Sequence, residues 1–257
     1  MKTRNPQHRS DYRKSCLWAL AIIAAVGLFV STPQDARAET ITFDALPTGT
    51  VLANQFATSH GVRFSAINRT SWHPDKLVIF DTNNYTGGDI DLAYPWAGGN
   101  LEGQQLQKIF VIAENARDYN HDGLIDNPDD EARGGVVTIK FDSLLSSFRF
   151  DQVDRDDANG EKVKIYKEGA LLDTITYVEM AAMDSTIEYG NRKANRMPWI
   201  TSDMVGDFFD EVRISICGSH GFDTISFTSP PVIPEPATMF LLTGAAVPVI
   251  LRRRRKK

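Results

Sequence analysis

One short acidic segment, residues 118–129, carries oxygen-bearing side chains at alternate positions on both sides of a glycine. We call it the acidic loop; its candidate metal ligands are Asp118, Asn120, Asp122, Leu124, Asp126 and Asp129. Ca²⁺ takes about 6–8 oxygen ligands at ~2.3–2.6 Å, so alternate side chains of a tightly coiled loop must converge on one point. Gly123 permits the backbone reversal that this requires, and Leu124 needs to offer only its carbonyl. The spacing therefore predicts a Ca²⁺ site.

The acidic loop departs from the common calcium-loop pattern at its end and in its flanks. The last position usually carries a bidentate Glu, whereas this chain has the shorter Asp129. The flanking segments Lys108–Ala113 and Val136–Phe141 are rich in Val, Ile and Phe, which predicts strands rather than a helix pair. We therefore expect a structural Ca²⁺ site, with Ile125 anchoring the loop to the core. An acidic turn without a cation is the alternative.

Two further acidic groups could bind a cation or simply form polar turns. The first precedes Asn159 and Gly160, and the second flanks the Thr82–Gly88 loop. Their members are Asp151, Asp154, Asp156 and Asp157 in the first group, and Asp81, Asp89 and Asp91 in the second.

Several aromatic residues on predicted loops are candidates for sugar binding. They are Trp72, Tyr94, Trp96 and Trp199. The three Trp residues each lie within two positions of a proline, which favours loops over mid-strand positions. A flat ring on a loop can stack on the apolar face of a sugar. Rings that cap the open ends of a sandwich are the alternative.

Short strands are predicted to support the acidic loop and the aromatic residues. Runs rich in Val, Ile, Phe and Tyr recur between turn clusters. The predicted strands are Thr40–Phe43, Gly61–Ser65, Leu77–Phe80, Lys108–Ala113, Val136–Phe141, Ser147–Val153, Lys162–Tyr166, Leu171–Tyr177, Val212–Ile216 and Thr224–Thr228. Sustained helical periodicity is absent, although Val178–Met183 is compatible with one helical turn. The pattern predicts an all-β fold, a two-sheet antiparallel sandwich or jelly roll.

The N-terminal segment is typical of a secretory signal peptide. Basic residues precede an apolar run, Leu17–Val30, and the small-x-small triplet Ala36-Arg37-Ala38 predicts cleavage after Ala38. Fourteen apolar residues make a helix of roughly 21 Å, shorter than the ~30 Å hydrocarbon core of a bilayer. A permanent anchor is the alternative to cleavage.

The C-terminal segment combines Pro234, Glu235 and Pro236 with an apolar run, Met239–Leu251, and the basic end Arg252–Lys257. This order resembles the PEP-CTERM sorting signal of exported bacterial proteins. The resemblance implies recognition by an exosortase-type membrane protease in a Gram-negative bacterium that makes exopolysaccharide and biofilm. Before processing, the short hydrophobic helix would hold the protein in the cytoplasmic membrane with its basic end in the cytoplasm. Afterwards the protein would reach the cell surface or matrix. A plain tail anchor is the alternative.

The strand-rich middle is similar to the extracellular modules that precede such sorting signals. The similar segments are ITFDALPTGT (41–50), GVRFSA (61–66) and GFDTISF (221–227). These modules are similar to galactose-binding-like jelly rolls, many of which bind carbohydrate or a structural calcium. Under this resemblance Asp44 and Asp223 are further candidate metal ligands. The predicted organisation is a signal peptide (1–38), a β-sandwich domain (39–229) and a sorting and anchor segment (230–257).

Charge and motifs limit the function further. Residues 39–233 hold 16 basic and 30 acidic side chains, a net charge of −14, which repels phosphate backbones and argues against nucleic-acid binding. The chain has no HExxH, GxSxG, P-loop or GxGxxG motif. We expect a non-enzymatic, calcium-stabilised protein of the cell surface or matrix, in contact with extracellular polysaccharide. One alternative is a carbohydrate-binding module. A second, less favoured, is a polysaccharide hydrolase with two carboxylates ~5–9 Å apart.

Overall fold

The computed structural model describes residues 38–155 and 160–231, and these ranges form two antiparallel β-sheets. The described residues up to 230 belong to one compact unit. The predicted all-β, two-sheet antiparallel sandwich is therefore confirmed. The signal peptide up to residue 37, the Pro234–Pro236 motif and the apolar run Met239–Leu251 lie outside the described residues.

The strands follow one another along the chain, most of them with short connections. They are β1 (Ala38–Ile41), β2 (Val51–Leu52), β3 (Val62–Asn68), β4 (Leu77–Asp81), β5 (Lys108–Ile112), β6 (Gly135–Leu145), β7 (Ser147–Arg155), β8 (Lys162–Lys167), β9 (Ala170–Thr176), β10 (Gly190–Arg196), β11 (Ile200–Thr201), β12 (Phe209–Ile216) and β13 (Gly221–Thr228). Within the described residues, the first sheet has the order β10-β7-β13-β5-β4-β2, with β1 beside β13 and β11 beside β7. The second sheet has the order β3-β6-β12-β8-β9.

The ten predicted strands are all present, with bounds that differ by a few residues. The sequence pattern does not indicate three of the strands, β2, β10 and β11. Two of them are only two residues long, and β10 has the polar sequence GNRKANR, which lacks the alternating apolar residues of a half-buried strand. Its buried side chains include Asn195, which tertiary hydrogen bonds hold in place.

The helices are short. They are α1 (Ala57–His60), α2 (Tyr177–Met183) and α3 (Ser202–Val205), together with a 3₁₀ turn over Ile90–Leu92. The predicted helical turn is confirmed by α2, which begins with a capping box between Thr176 and Glu179. Among the described residues, no helix is long and apolar enough to cross a membrane.

The main core lies between the sheets and is built by alternation. In β3, Val62, Phe64 and Ala66 are buried while the residues between them are exposed. A second apolar cluster covers the other side of β4 and β5, where Val78, Phe80, Ile109 and Val111 pack with Trp96 and Ile125. These two strands are buried on both faces, and the long connections on their outer side carry the candidate site.

Candidate functional site

The acidic loop lies in the connection between β5 and β6 and is held to the core by Ile125. This side chain is 5% exposed and packs in the second apolar cluster. Its N–H donates to the carbonyl of Gly49 over 2.8 Å. A Cβ on Gly49, which has φ +84°, would lie 2.4 Å from the Ile125 carbonyl oxygen. The predicted anchoring role of Ile125 is confirmed, and Gly49 is the residue that permits the close approach.

The side-chain oxygens of the loop turn inward onto its own backbone. Asp118 accepts hydrogen bonds from the N–H groups of Asp122 (3.2 Å) and Gly123 (3.0 Å). Asn120 Oδ1 accepts from the same Asp122 N–H over 3.0 Å, and Asp122 Oδ1 accepts from Leu124 N–H over 2.8 Å. Gly123 has φ +86°, as the predicted reversal requires. These oxygens therefore gather around one tight turn.

Asp126 closes the loop. Its Oδ2 accepts from Tyr119 N–H over 2.6 Å, and its own N–H donates to the Arg117 carbonyl over 2.7 Å. Asp118, Asp122 and Asp126 do not lie within 4.8 Å of one another as a set. A cation bound to all three would therefore have to bring their carboxylates together, away from the amides that they now accept from. The loop supplies the ligand types that Ca²⁺ needs in a compact, anchored turn.

Asp129, predicted as the last ligand of the loop, lies in a different group. Its ligand oxygen comes within 4.8 Å of those of Asp89 and Asp130, and this is the one such three-residue group among the described residues. The reason is a backbone pairing that the local sequence does not encode. Asp130 forms a β-bridge with Ala113 beyond the end of β5, and the neighbouring Asp129 lies beside Asp89, the residue that precedes the 3₁₀ turn.

We call Asp89, Asp129 and Asp130 the acidic cluster. Burial, reinforced by Glu114 and Asp89, raises the pKa of Asp129 to about 6. Burial and the neighbouring carboxylate of Asp89 raise the pKa of Asp130 well above its ordinary value. Carboxylates held this close repel one another unless a proton or a cation lies between them.

The other predicted acidic groups do not converge on one point. Asp156 and Asp157 lie outside the described residues, and Asp151 is held bidentately by Arg196 through two contacts of 2.9 Å. The side chain of Asp154 is buried and accepts from Arg192 N–H over 2.8 Å. Asp151 is therefore neutralised by a side chain of the protein itself.

Asp44 and Asp223 are electrostatic neighbours, as expected if the first and last strands pair. Strand β1 does pair with β13, and burial raises the pKa of Asp223 to about 7, with smaller contributions from Asp151 and Asp44. Asp223 is 3% exposed and its Oδ1 has no hydrogen-bond partner among the described residues, whereas Asp44 accepts from Lys108 N–H over 3.1 Å. Asp81 accepts from Asn83 N–H over 2.9 Å within its own turn.

The aromatic candidates divide into structural residues and one presented ring. Trp96 is 4% exposed and donates from Nε1 to the Gln104 carbonyl over 2.8 Å, so its predicted availability to sugar is wrong. Tyr94 packs edge-on against Trp96, and Arg149 lies over the ring of Trp199 at 4.3 Å. Trp72, in contrast, is 76% exposed.

A buried ionic network is not indicated by any sequence motif. Arg155 is 1% exposed, lies over the rings of Tyr177 (4.4 Å) and Tyr189 (3.8 Å), and pairs with Glu161. The second Glu161 oxygen lies 2.9 Å from His220 Nε2. Burial alone would raise the pKa of Glu161, but His220 and the other donors outweigh it and lower the pKa. Glu161 and His220 are far apart in sequence, so no local pattern announces the network.

Comparisons with known proteins give structural similarity alone, and that similarity is weak. Neither the family models nor the curated proteins contain a match to this chain. The chain is similar to a solved structure, the K2 cleaved adhesin domain of Lys-gingipain, with 14% sequence identity and a TM-score of 0.33. The similarity covers 74% of this chain and 99% of that domain.

Proposed function

We propose that this chain is an exported, non-enzymatic protein of the cell surface or extracellular matrix whose β-sandwich is stabilised by Ca²⁺ at the acidic loop. The observation that carries the proposal is the turn formed by residues 118–126. It carries side-chain oxygens of Asp118, Asn120, Asp122 and Asp126, which accept hydrogen bonds from its own backbone, and it is anchored by Ile125; a bound cation would draw the carboxylates together. The carbonyl of Leu124 supplies a further ligand, as in loops of this spacing.

Two features of the chain support a structural role for Ca²⁺. After signal cleavage the chain has one cysteine, Cys217, so no intrachain disulfide can support it in an oxidising compartment. The connection between β5 and β6 spans 22 residues, from 113 to 134, and contains no strand or helix. A cation that binds the carboxylates of this connection would bind the native state and not the unfolded chain. It would therefore raise the free energy of unfolding.

Terbium luminescence can test the site directly. Tb³⁺ substitutes for Ca²⁺ and emits when a nearby aromatic ring is excited, and Tyr119 lies between the ligands Asp118 and Asn120. We expect the full chain to show sensitised emission that Ca²⁺ displaces, and Tyr119→Phe to lose most of it. Tyr85→Phe is the matched control, since Tyr85 is also exposed but belongs to another loop. Equal emission from wild type and Tyr119→Phe would place the ion elsewhere.

The export and sorting parts of the proposal are supported by the two ends of the sequence. An exosortase-type protease would act near Pro234–Pro236, after the apolar run Met239–Leu251 has held the chain in the cytoplasmic membrane. Replacing Pro234, Glu235 and Pro236 by Ala should leave the tail attached and the protein in that membrane. A double Pro230→Ala, Pro231→Ala variant is the control. Normal processing of the motif variant would refute the sorting proposal.

The rival function is hydrolysis of a polysaccharide. The two most deeply buried carboxylates with raised pKa, Asp130 and Asp223, are 6% and 3% exposed, so a polymer does not reach them. These two carboxylates are therefore not available as a catalytic pair for a polysaccharide. Release of reducing sugar from the host's own exopolysaccharide by the purified protein would overturn the non-enzymatic proposal.

A further inference from the structure

A groove of about 580 Å³ lies beside the connection between β3 and β4. Trp72 and Pro74 line one wall, and Glu114, Asn115 and Arg117 line the other. Sites for small ligands typically have volumes of ~300–1,000 Å³, so the groove is large enough for a sugar unit.

Trp72 is presented on a rigid support. Its indole is 76% exposed, although burying such a ring against the protein would be favourable. Hydrogen bonds fix the segment that carries Trp72. Asn68 Nδ2 donates to the Ala113 carbonyl over 3.0 Å. Thr70 and His73 both hydrogen bond to the buried carboxylate of Glu131, the first over 2.9 Å. Because this segment is already fixed, binding of a ligand that stacks on Trp72 costs little free energy for ordering the protein.

The opposite wall offers polar groups of both kinds. Glu114 is an acceptor, the Asn115 amide is both donor and acceptor, and Arg117 is a donor. Among the described residues, the Arg117 guanidinium forms no ion pair. The wall is fixed by its backbone, since Glu114 N–H donates to the Asp129 carbonyl over 3.0 Å and the Arg117 carbonyl accepts from Asp126. Adjacent acceptors and donors match the vicinal hydroxyls of a sugar.

We propose that this groove binds a hexose unit of an uncharged polysaccharide, with one face of the sugar on Trp72 and its hydroxyls on Glu114, Asn115 and Arg117. The net negative charge of the chain favours an uncharged polysaccharide over an anionic one. Residues 39–233 carry a net charge of −14, which repels a polyanionic glycan, and the single Arg117 does not offset it. This inference goes beyond the Ca²⁺ proposal and rests on separate residues.

A second groove provides a matched control. It is lined by Ser202, Asp203, Asp207 and Phe208 and has a volume of about 410 Å³. Phe208 is 37% exposed, so Phe208→Ala removes a presented aromatic ring from a different groove.

Affinity gel electrophoresis of the full chain tests the inference, with laminarin, dextran, yeast mannan and xylan as neutral probes and hyaluronan as the anionic probe. All gels contain millimolar Ca²⁺, so a failed Ca²⁺ proposal would appear in the terbium assay and not here. We expect at least one neutral probe to retard the wild type more strongly than hyaluronan does. Trp72→Ala should weaken that binding about tenfold, equivalent to about 1.4 kcal/mol, while Phe208→Ala stays within about twofold.

Two further variants separate loss of the ring from loss of the fold. Trp72→Phe should recover part of the retardation, and circular dichroism should show unchanged strand content in Trp72→Ala. Three results would overturn the inference: no retardation by any neutral probe, equal retardation of wild type and folded Trp72→Ala, or stronger retardation by hyaluronan than by every neutral probe.

Discussion

Replacement of Glu161 by Gln should destabilise the protein strongly, because Glu161 is the anion of the buried network. Its two oxygens face Arg155 Nε on one side and, on the other, His220 Nε2 at 2.9 Å and Cys217 N–H at 3.1 Å. Gln keeps the volume of the side chain but removes the charge. Arg155, which is 1% exposed and cannot reach solvent, then keeps a buried charge without its counter-ion.

The magnitude follows from burial. Removing one partner of a buried ion pair typically costs about 3–5 kcal/mol. For a folded region near this size, each kcal/mol lowers Tm by about 2–4 °C, so the expected drop is roughly 6–20 °C. The contacts of the Arg155 guanidinium with the rings of Tyr177 and Tyr189 oppose its relaxation toward solvent, which favours the upper part of that range.

Thermal unfolding of the full chain followed by circular dichroism at pH 7 measures this drop. Glu188→Gln is the matched control, because Glu188 pairs with Lys193 at 2.8 Å with side-chain exposures of 59% and 26%. Solvent screens an exposed pair, so Tm should stay nearly unchanged in this variant. If Glu161→Gln melted with the wild type, or if both variants lost the same amount, the buried network would not be a major source of stability.

Three further outcomes are expected from other parts of the structure. Because burial raises the folded-state pKa of Asp223 to about 7, the free energy of unfolding should fall as pH rises from about 4 to 7. The loss should reach about 4 kcal/mol at pH 8. Urea unfolding at several pH values should show that Asp223→Asn removes this loss. Glu161 has the opposite sign: its lowered pKa contributes stability that is present above its ordinary pKa of 4.5 and is lost on acidification, so Glu161→Gln should flatten the acid side of the same profile. Gly49→Ala should lower both Tm and the affinity for Tb³⁺, because its Cβ would meet Ile125; Gly103→Ala, at a similar positive φ but with open space, should affect Tm less and Tb³⁺ binding not at all.

The strands could be predicted because the alternation of apolar and polar residues within each one shows which side chains are buried. In β8, Val163 and Ile165 alternate with Lys162 and Lys164, and a single short window shows which face is wet. Strand β10 carries no such pattern, since its place in the sheet depends on pairing with β7 and on hydrogen bonds to Asn195. Elements of this kind are specified by the tertiary structure, and a window of sequence does not reveal them.

The same distinction applies to the candidate site. The ligand spacing of the acidic loop and the anchor Ile125 are local features, and both are visible in the sequence. The association of Asp129 with Asp89 depends on a β-bridge between Ala113 and Asp130, and the pairing of Glu161 with His220 joins residues from distant parts of the chain. Burial of charge at such places is visible only once the chain is folded.

Calorimetric melting with and without Ca²⁺ tests whether Ca²⁺ at the acidic loop stabilises this β-sandwich. A ligand specific for the native state contributes about 2.7 kcal/mol at a hundredfold excess over Kd, which corresponds to a rise in Tm of roughly 5–11 °C. We expect this rise, from chelator to millimolar Ca²⁺, in the wild type and in Asp203→Ala, whose exposed carboxylate lies outside the loop. Asp122→Ala should melt at the lower temperature in both conditions. An equal rise in Asp122→Ala would contradict the assignment of Ca²⁺ to this loop.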